Sequence, residues 1–342
     1  IPSFVTRAEN YFAWVRTAIL LIVLWVLTHV MCRNPFIRDP SGKLLRLGPN
    51  GNFTDRAMGL PFPCGQCLPC RINKRRIWTL RLMMELSHHE KGSFVTLTYD
   101  DQHLVRSDSG LPILQKREAQ LWIKRVRKFF GVAGLRYYLA GEYGTKSLRP
   151  HYHAIIFGLG PDDFDPDWLI WKGQSGPATN TRPARLDTPL FRTWAKGIVH
   201  VGEVSRHSIQ YVAGYVTKKF VKDGDELEKE FTLSSRRPGI GAYAAEAIYE
   251  SLKTSNQEGK GIGRELRIEG KKWPIGRYLI TRLEKLQGQL FDSSGYVDQI
   301  YQELVNANVD GKDFIEHLTS LDDGAYKVLE SKQRMFNQRD AI

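Results

Sequence analysis

The sequence lacks the widely spaced cysteines of a disulfide-bonded protein. Its 342 residues include only four cysteines, and none follows Cys70. Disulfides join separated cysteines in an oxidising compartment, whereas these four are crowded into the first fifth of the chain. Since 42% of the residues are hydrophobic, the chain has enough apolar material for a packed core. The pattern argues against a secreted disulfide scaffold and in favour of a globular protein.

The sequence also lacks an apolar run as long as the roughly 20 residues that cross a bilayer as a helix. The nearest candidate, residues 17–31, lies between Arg16 and Arg33 and falls short of that length. The composition turns abruptly polar after Met31. We therefore expect translation to begin at Met31 and residues 1–30 to be an upstream extension, with a short membrane or signal anchor as the alternative.

Acidic residues are scarce relative to basic ones. The chain has 37 Asp and Glu against 49 Lys and Arg, which gives a formal net charge of +12. Such a balance suggests a polyanionic partner, either nucleic acid or an anionic membrane surface, although many basic proteins only carry solvated side chains. Charge alone favours nucleic acid modestly.

The cysteines follow the spacing of metal ligands. Cys64, Cys67 and Cys70 form a C-x-x-C-x-x-C run, and Cys32 supplies a fourth thiol. Four thiolates suit a structural zinc ion, while an iron–sulfur cluster takes the same ligands and free thiols in a reducing cytosol are a third interpretation. We predict structural zinc in an N-terminal cysteine knuckle, within a cysteine and basic-helix region at residues 31–90.

The central part of the chain predicts an α+β domain. We expect strands at residues 93–99, 135–142, 152–157 and 197–203, with helices at 115–130, 187–196 and 206–220. The order β-α-β-β-α-β, followed by a helix, is typical of a ferredoxin-like (split βαβ) antiparallel sheet with helices on one face. This core spans residues 91–225, and residues 226–342 form a mainly helical C-terminal region.

Two histidines on the third strand are candidate metal ligands. Because side chains alternate along a strand, His151 and His153 share one face, although such pairs are more often structural. The preceding strand forms a hairpin with this one and brings Glu142 beside them. Two imidazoles and a carboxylate with open positions suit a catalytic Mg²⁺ or Mn²⁺ ion, without excluding zinc.

The helix after the fourth strand carries a candidate nucleophile. Tyr211 and Tyr215 are four residues apart and therefore share a helix face, with Lys218 and Lys219 beyond them. They could equally be core residues. Beside a metal ion, however, a tyrosine hydroxyl can attack a phosphodiester to form a covalent phosphotyrosine, while a lysine stabilises the developing charge. A second tyrosine permits a second attack without prior hydrolysis.

These residues resemble the HUH endonuclease superfamily, in which two histidines flank a bulky residue, here His151-Tyr152-His153. More closely, the chain resembles the replication initiators of microviruses, the small single-stranded DNA bacteriophages, especially those of the gokushovirus type. The three motifs of those initiators correspond, in the expected order, to Phe94–Tyr99, Arg149–Gly158 and Tyr211–Lys219. The resemblance covers residues 31 to about 290.

The resemblance implies an HUH-type fold and a rolling-circle replication initiator. Such a protein nicks one strand of the viral replicative-form DNA at the origin, forms a 5′-phosphotyrosine and later rejoins the displaced strand. The site residues that carry over are the metal ligands His151 and His153, with Glu142 by position, the nucleophiles Tyr211 and Tyr215, and Lys218 or Lys219 in support.

Several partners and two alternatives follow from the same resemblance. The expected partners are single- and double-stranded origin DNA and the host helicase and polymerase, in the cytoplasm of a bacterial host, with no stable membrane partner. A plasmid or transposon nickase of the same superfamily is one alternative. A non-catalytic zinc-binding nucleic-acid adaptor, in which the tyrosines are core and the histidines structural, is the other.

Overall fold

The computed structural model describes eleven parts of the chain: residues 32, 36–38, 44–46, 63–144, 147–169, 181–183, 187–215, 227–254, 265–288, 327–328 and 330–331. The extension expected at residues 1–30, both candidate lysines (Lys218 and Lys219) and most of the C-terminal region beyond residue 288 lie outside the described residues. The chain divides into two units. The first comprises Ile1–Asn73, Gly259–Gly263 and Phe291–Ile342, and the second comprises Lys74–Glu258 and Arg264–Leu290.

The first unit contains the cysteines and a small antiparallel ribbon. The ribbon pairs β1 (Phe36–Arg38) with β2 (Leu44–Arg46). Helix α1 (Leu68–Leu86) begins directly after Cys67. The basic helix expected after the cysteines is therefore confirmed.

The second unit is built around a six-stranded antiparallel sheet with the strand order β6-β7-β3-β5-β4-β8. Along the chain this unit contains β3 (Gly92–Thr98), α2 (Lys116–Phe130), β4 (Arg136–Tyr143), β5 (Pro150–Phe157), α3 (Pro161–Phe164), β6 (Thr181–Pro183), α4 (Pro189–Trp194), β7 (Val199–Glu203), α5 (Arg206–Gly214), β8 (Phe231–Ser234), α6 (Ala242–Thr254), β9 (Glu265–Ile268), β10 (Lys271–Pro274) and α7 (Gly276–Gln287).

The four central strands have the predicted arrangement. Strand β5 lies between β3 and β4 and is antiparallel to both, so β3-α2-β4 is a split βαβ unit, and β7 pairs with the free edge of β3. Two further strands, β6 and β8, extend the sheet at its two edges beyond the four strands expected. The predicted α+β class with an antiparallel sheet and flanking helices is confirmed.

Helices cover both faces of the sheet, which corrects the expectation that one face is covered. Trp122 of α2 and Trp194 of α4 pack on the face that carries Tyr152. The opposite face carries Ile155 and packs against α5 and α1, where Leu82 is fully buried. The reason is that β4 and β5 carry buried apolar side chains on both faces, Leu139 and Tyr152 on one and Tyr138 and Ile155 on the other, and these must be shielded from water. Among the described helices, none has the length and hydrophobicity needed to cross a membrane.

Candidate functional site

The histidines, Glu142 and their neighbours are brought together by strand register. On one side of β5, His151 and His153 face Thr98 and Thr96 of β3. On the other side, Glu142 of β4 is the direct partner of His151. The three candidate ligands therefore come from two adjacent strands of one hairpin, on the sheet face that α5 covers.

Glu142 and His153 already have the spacing of two ligands of one ion. The Nε2 atom of His153 lies 3.1 Å from Oε1 of Glu142, and the two side chains are each only 8% exposed. Two ligands at right angles around a metal, with bonds of about 2.1 Å, are about 3 Å apart. This mixed nitrogen and oxygen pair fits a divalent ion such as Mg²⁺ or Mn²⁺.

His151 completes the set less tightly. Its ring centre is 6.4 Å from that of His153, and a Cβ atom placed on Gly144 would lie 2.9 Å from its Nε2. Within the described part of the chain, only the four cysteines form a group of three or more ligand side chains close enough to hold an ion as they stand. The three residues predicted as ligands therefore share one face of one hairpin, but only His153 and Glu142 lie at ligand spacing, and the ligand assignment stays a prediction.

Two threonines that sequence reasoning did not single out contact the histidines directly. Thr96 Oγ1 lies 3.0 Å from Nδ1 of His153, and Thr98 Oγ1 lies 3.0 Å from Nδ1 of His151. With each Nδ1 occupied in this way, Nε2 is the nitrogen that remains for a metal. The sequence carried only part of the signal, because the period of two in Thr-x-Thr puts both threonines on one face of β3 but does not give the register of β3 with β5.

Helix α5 places Tyr211 over this group, and Tyr215, the residue that directly follows the helix, lies beside it. Ser205 caps the start of the helix, since its hydroxyl accepts a hydrogen bond from the Ser208 amide, and the helix buries Ile209 and Val212. The ring of Tyr215 stacks on His153 with 4.9 Å between centres, and the Tyr211 ring meets His153 edge-on at 5.3 Å. The tyrosine rings are themselves 5.0 Å apart. Histidines and tyrosines thus share one face.

The electrostatics of this face differ from one side chain to the next. Burial, together with the charge of Glu142 and hydrogen bonding with Tyr211 and Glu142, raises the pKa of Tyr215 far above its ordinary value. Burial and the neighbouring His153 lower the pKa of His151. Tyr215 is only 5% exposed, whereas Tyr211 is partly accessible. At neutral pH the buried tyrosine is therefore a protonated phenol, and His151 is an uncharged imidazole that can act as a ligand.

The residue between the histidines points the other way and has a structural role. The Tyr152 hydroxyl accepts a hydrogen bond from the Gln115 amide at 2.9 Å and lies 3.1 Å from the Tyr99 hydroxyl. Gln115 precedes α2 and has no side-chain cap of its own. Tyr152 therefore fixes the start of α2 behind the sheet, on the face opposite the candidate ligands.

The four cysteines form a separate candidate metal centre in the first unit. Their sulfurs all lie within 4.8 Å of one another, with 4.0 Å between Cys64 and Cys70 and 3.9 Å between Cys67 and Cys32. A zinc ion with Zn–S bonds of about 2.3 Å needs sulfurs about 3.8 Å apart, whereas a disulfide needs about 2 Å. In an iron–sulfur cluster the four cysteines are divided between two or four irons, so sulfurs bound to different irons would lie farther apart. The spacing fits a single tetrahedral ion such as zinc.

The backbone around this cluster is arranged for negatively charged sulfur. The amides of Gln66 and Cys67 point at the Cys64 sulfur, at 3.4 and 3.3 Å, and the Cys64 amide points at the Cys32 sulfur at 3.2 Å. Gly65 has a φ of +71°, a conformation that glycine adopts without strain and that lets the chain wrap around the sulfurs. Hydrogen bonding with Cys32, and then burial, raises the pKa of the Cys70 thiol, so metal binding there must displace a proton.

Comparison with known proteins gives a consistent set of relatives. A family model described as replication-associated protein ORF2/G2P matches residues 92–220, from the start of β3 to beyond α5. The chain is 32% identical to replication-associated protein ORF2 of Spiroplasma virus 4, over 72% of this chain and 82% of the relative. It is 31% identical to replication-associated protein VP4 of Bdellovibrio phage phiMH2K, over 64% of this chain and 65% of the relative.

A third relative extends the same pattern. The chain is 28% identical to replication-associated protein ORF4 of Chlamydia phage 1, over 72% of this chain and 60% of the relative. No solved structure matches the chain.

Proposed function

The chain belongs to the family of phage replication-associated proteins, and from this premise we propose that it starts viral DNA replication by nicking one strand at the origin. The resemblance to gokushovirus-type replication proteins is confirmed by these relatives. The product of the proposed reaction is a 5′-phosphotyrosine on the protein and a free 3′-hydroxyl from which synthesis proceeds. Rejoining of the displaced strand reverses the same chemistry.

One observation carries the proposal. The two tyrosines pack directly on His153, whose Nε2 faces Glu142 at 3.1 Å. A phosphodiester bound at this face would meet metal ligands and nucleophiles together, which is the arrangement that phosphoryl transfer to a tyrosine requires.

The roles of the side chains follow from their burial. Tyr211 is partly accessible, so we assign it the first attack: its hydroxyl oxygen bonds to phosphorus, the bond from phosphorus to the 3′-oxygen breaks, and the phenolic proton leaves to solvent as the 3′-oxygen gains one. Tyr215 is buried and its hydroxyl is protonated, so we assign it the second transfer. His151, His153 and Glu142 would hold Mg²⁺ or Mn²⁺, which supplies positive charge for the phosphate oxygens. By resemblance, Lys218 or Lys219 supports the attack.

The net charge supports DNA as the substrate. The exposed basic residues of α2 lie on the sheet face opposite the tyrosines and do not adjoin the candidate site. The whole chain nevertheless carries a net charge of +12, and positive charge attracts phosphates without reading sequence. We therefore propose single- and double-stranded origin DNA as the partner and the cysteine centre, loaded with zinc, as a structural element.

A covalent-adduct assay tests the proposal. The protein is incubated with Mn²⁺ and 3′-labelled single-stranded oligonucleotides that together cover the viral origin region, because the 3′ fragment is the one that stays attached. We expect a labelled adduct with the wild type, a weaker one with Tyr211→Phe and none with the double change of Tyr211 and Tyr215 to Phe. Tyr137→Phe, outside the site, is the matched control.

The outcomes separate the enzyme from the adaptor alternative. An adaptor would bind the same oligonucleotides without forming an adduct. An adduct that still forms when both tyrosines are replaced would contradict the assignment of Tyr211 and Tyr215 as nucleophiles.

A further inference from the structure

Thr96 and Thr98 are placed as if to orient the candidate metal ligands. Each is the direct cross-strand partner of one histidine, and each hydroxyl oxygen is 3.0 Å from that histidine's Nδ1. The contact is made twice in the same way, once for each member of the His-x-His pair. A repeated side-chain contact at both ligands is unlike chance packing on a strand.

We propose that Thr96 and Thr98 are positioning residues that present Nε2 of His153 and Nε2 of His151 to the catalytic divalent ion. The inference rests on the proposed function, because it takes these histidines as ligands. The threonines touch neither the ion nor the DNA in this scheme. They act through the imidazole rings that they hold.

A hydroxyl group suits this task because it can either donate or accept a hydrogen bond. Nε2 of His153 faces a carboxylate oxygen of Glu142, which only accepts, so in its neutral form without an ion this ring would carry its proton on Nε2 and accept at Nδ1 from Thr96. With a metal ion on Nε2, the ring proton would have to sit on Nδ1, and the Thr96 hydroxyl would accept it. The ring would keep its place in both states.

Among the usual second partners of a ligand histidine, carboxylates and backbone carbonyls only accept. They would hold the ring in the metal-ready tautomer alone. A threonine holds both tautomers and so permits the ion to bind and leave without rotation of the ring. This fits an open site that exchanges its ion more readily than a closed structural one.

The competing explanation is that threonine is simply favoured in strands, since it is β-branched. Valine is equally β-branched and nearly the same size but has no hydroxyl, whereas serine keeps the hydroxyl and loses the methyl group. Thr96→Val and Thr96→Ser therefore separate the two explanations, and the same pair of changes applies at Thr98.

The experiment measures the protonation of the histidine ring nitrogens and the affinity for Mn²⁺ separately. The zinc-loaded protein, labelled with ¹⁵N-histidine, is examined by NMR without added Mn²⁺ to read the tautomers, and Mn²⁺ affinity is then measured by electron paramagnetic resonance. We expect Thr96→Val and Thr98→Val each to lower Mn²⁺ affinity by about 10- to 100-fold and to change the nitrogen shifts of the facing histidine. Thr96→Ser and Thr98→Ser should restore both, and Thr79→Val, at a buried threonine of α1, should change neither.

Two results would overturn the proposal. One is a valine variant with wild-type Mn²⁺ affinity and unchanged histidine shifts, and the other is a serine variant as impaired as the valine variant. Failure of the proposed function is distinguishable, because it appears as loss of the covalent adduct in the wild type, whatever the threonine variants do. Absence of Mn²⁺ binding by the wild type would overturn the metal assignment and this inference together.

Discussion

The cysteine cluster and the histidine site are two candidate metal centres built in opposite ways. The cysteine cluster draws three of its four ligands from seven consecutive residues and gathers all four sulfurs within 4.8 Å. The histidine site draws its ligands from two strands of a sheet and holds only His153 and Glu142 at ligand spacing. The four cysteines would fill all coordination positions of a tetrahedral ion, whereas the histidine site would leave coordination positions for other ligands.

Under the proposed function, this difference separates a structural centre from a catalytic one. A tetrahedral site with four protein ligands has no room for substrate and serves stability, whereas an incomplete set leaves positions for a phosphate oxygen. The neighbours agree: backbone amides surround the sulfurs, while tyrosine rings and threonine hydroxyls surround the imidazoles. If the two centres are independent, and one is a closed structural site and the other an open catalytic site, changes at one should leave the other intact.

Removal of both histidines should have the largest effect. We expect His151→Ala with His153→Ala to lower the rate of adduct formation by at least about 10³-fold, because several kcal/mol of charge stabilisation would be lost. Zinc content, measured by elemental analysis, should stay as in the wild type. Loss of zinc together with activity would show that the two centres are not independent.

Replacement of one cysteine should weaken zinc binding at the cysteine cluster and lower the stability of the protein. Cys67→Ser removes one of four thiolates, and we expect zinc affinity, measured against a competing chelator, to fall by at least about 10²-fold with a lower melting temperature. The residual folded protein should still bind Mn²⁺ at the histidine site. A variant that retains zinc and the wild-type melting temperature would show that the cluster is not a structural site.

Local patterns in the sequence were sufficient to predict much of this arrangement. The spacing of Cys64, Cys67 and Cys70 sets three sulfurs close together whatever the rest of the chain does. Alternation along one strand puts His151 and His153 on one face, and the hairpin puts Glu142 opposite His151. These features depend on residues near in sequence, so periodicity and turn position suffice.

The remaining features depend on register and packing between distant segments. Thr96 faces His153 because β3 pairs with β5 in one particular register. No local sequence pattern predicts that register to the residue. The stacking of Tyr215 on His153 depends on which face of the sheet α5 covers. For the same reason, the sequence did not predict that helices cover both faces of the sheet. The sequence alone left Tyr211 and Tyr215 equally readable as core residues.

The pH dependence of metal binding should differ between the two centres. Burial lowers the pKa of His151, so this ligand stays unprotonated down to below the ordinary histidine value, and Mn²⁺ affinity should change by less than about twofold between pH 8 and pH 7. Hydrogen bonding and burial raise the pKa of the Cys70 thiol, so zinc must displace a proton throughout this range.

We expect apparent zinc affinity to fall by at least about tenfold per unit as pH drops, because protons compete with the ion. Parallel titrations of both ions at each pH provide the measurement. Equal slopes for zinc and Mn²⁺ would contradict the distinction.

The smallest effect should come from a single methyl group beside His151. Gly144→Ala would place a Cβ atom 2.9 Å from His151 Nε2, closer than such contacts permit, so the imidazole must shift. Because the ring tip can move, we expect only about a three- to tenfold loss of Mn²⁺ affinity, with zinc affinity unchanged. Gly134→Ala is the matched control, since nothing lies within 4 Å of its added methyl group. Wild-type Mn²⁺ affinity in Gly144→Ala would mean that Nε2 of His151 does not bind the ion, which would reduce the open site to His153 and Glu142.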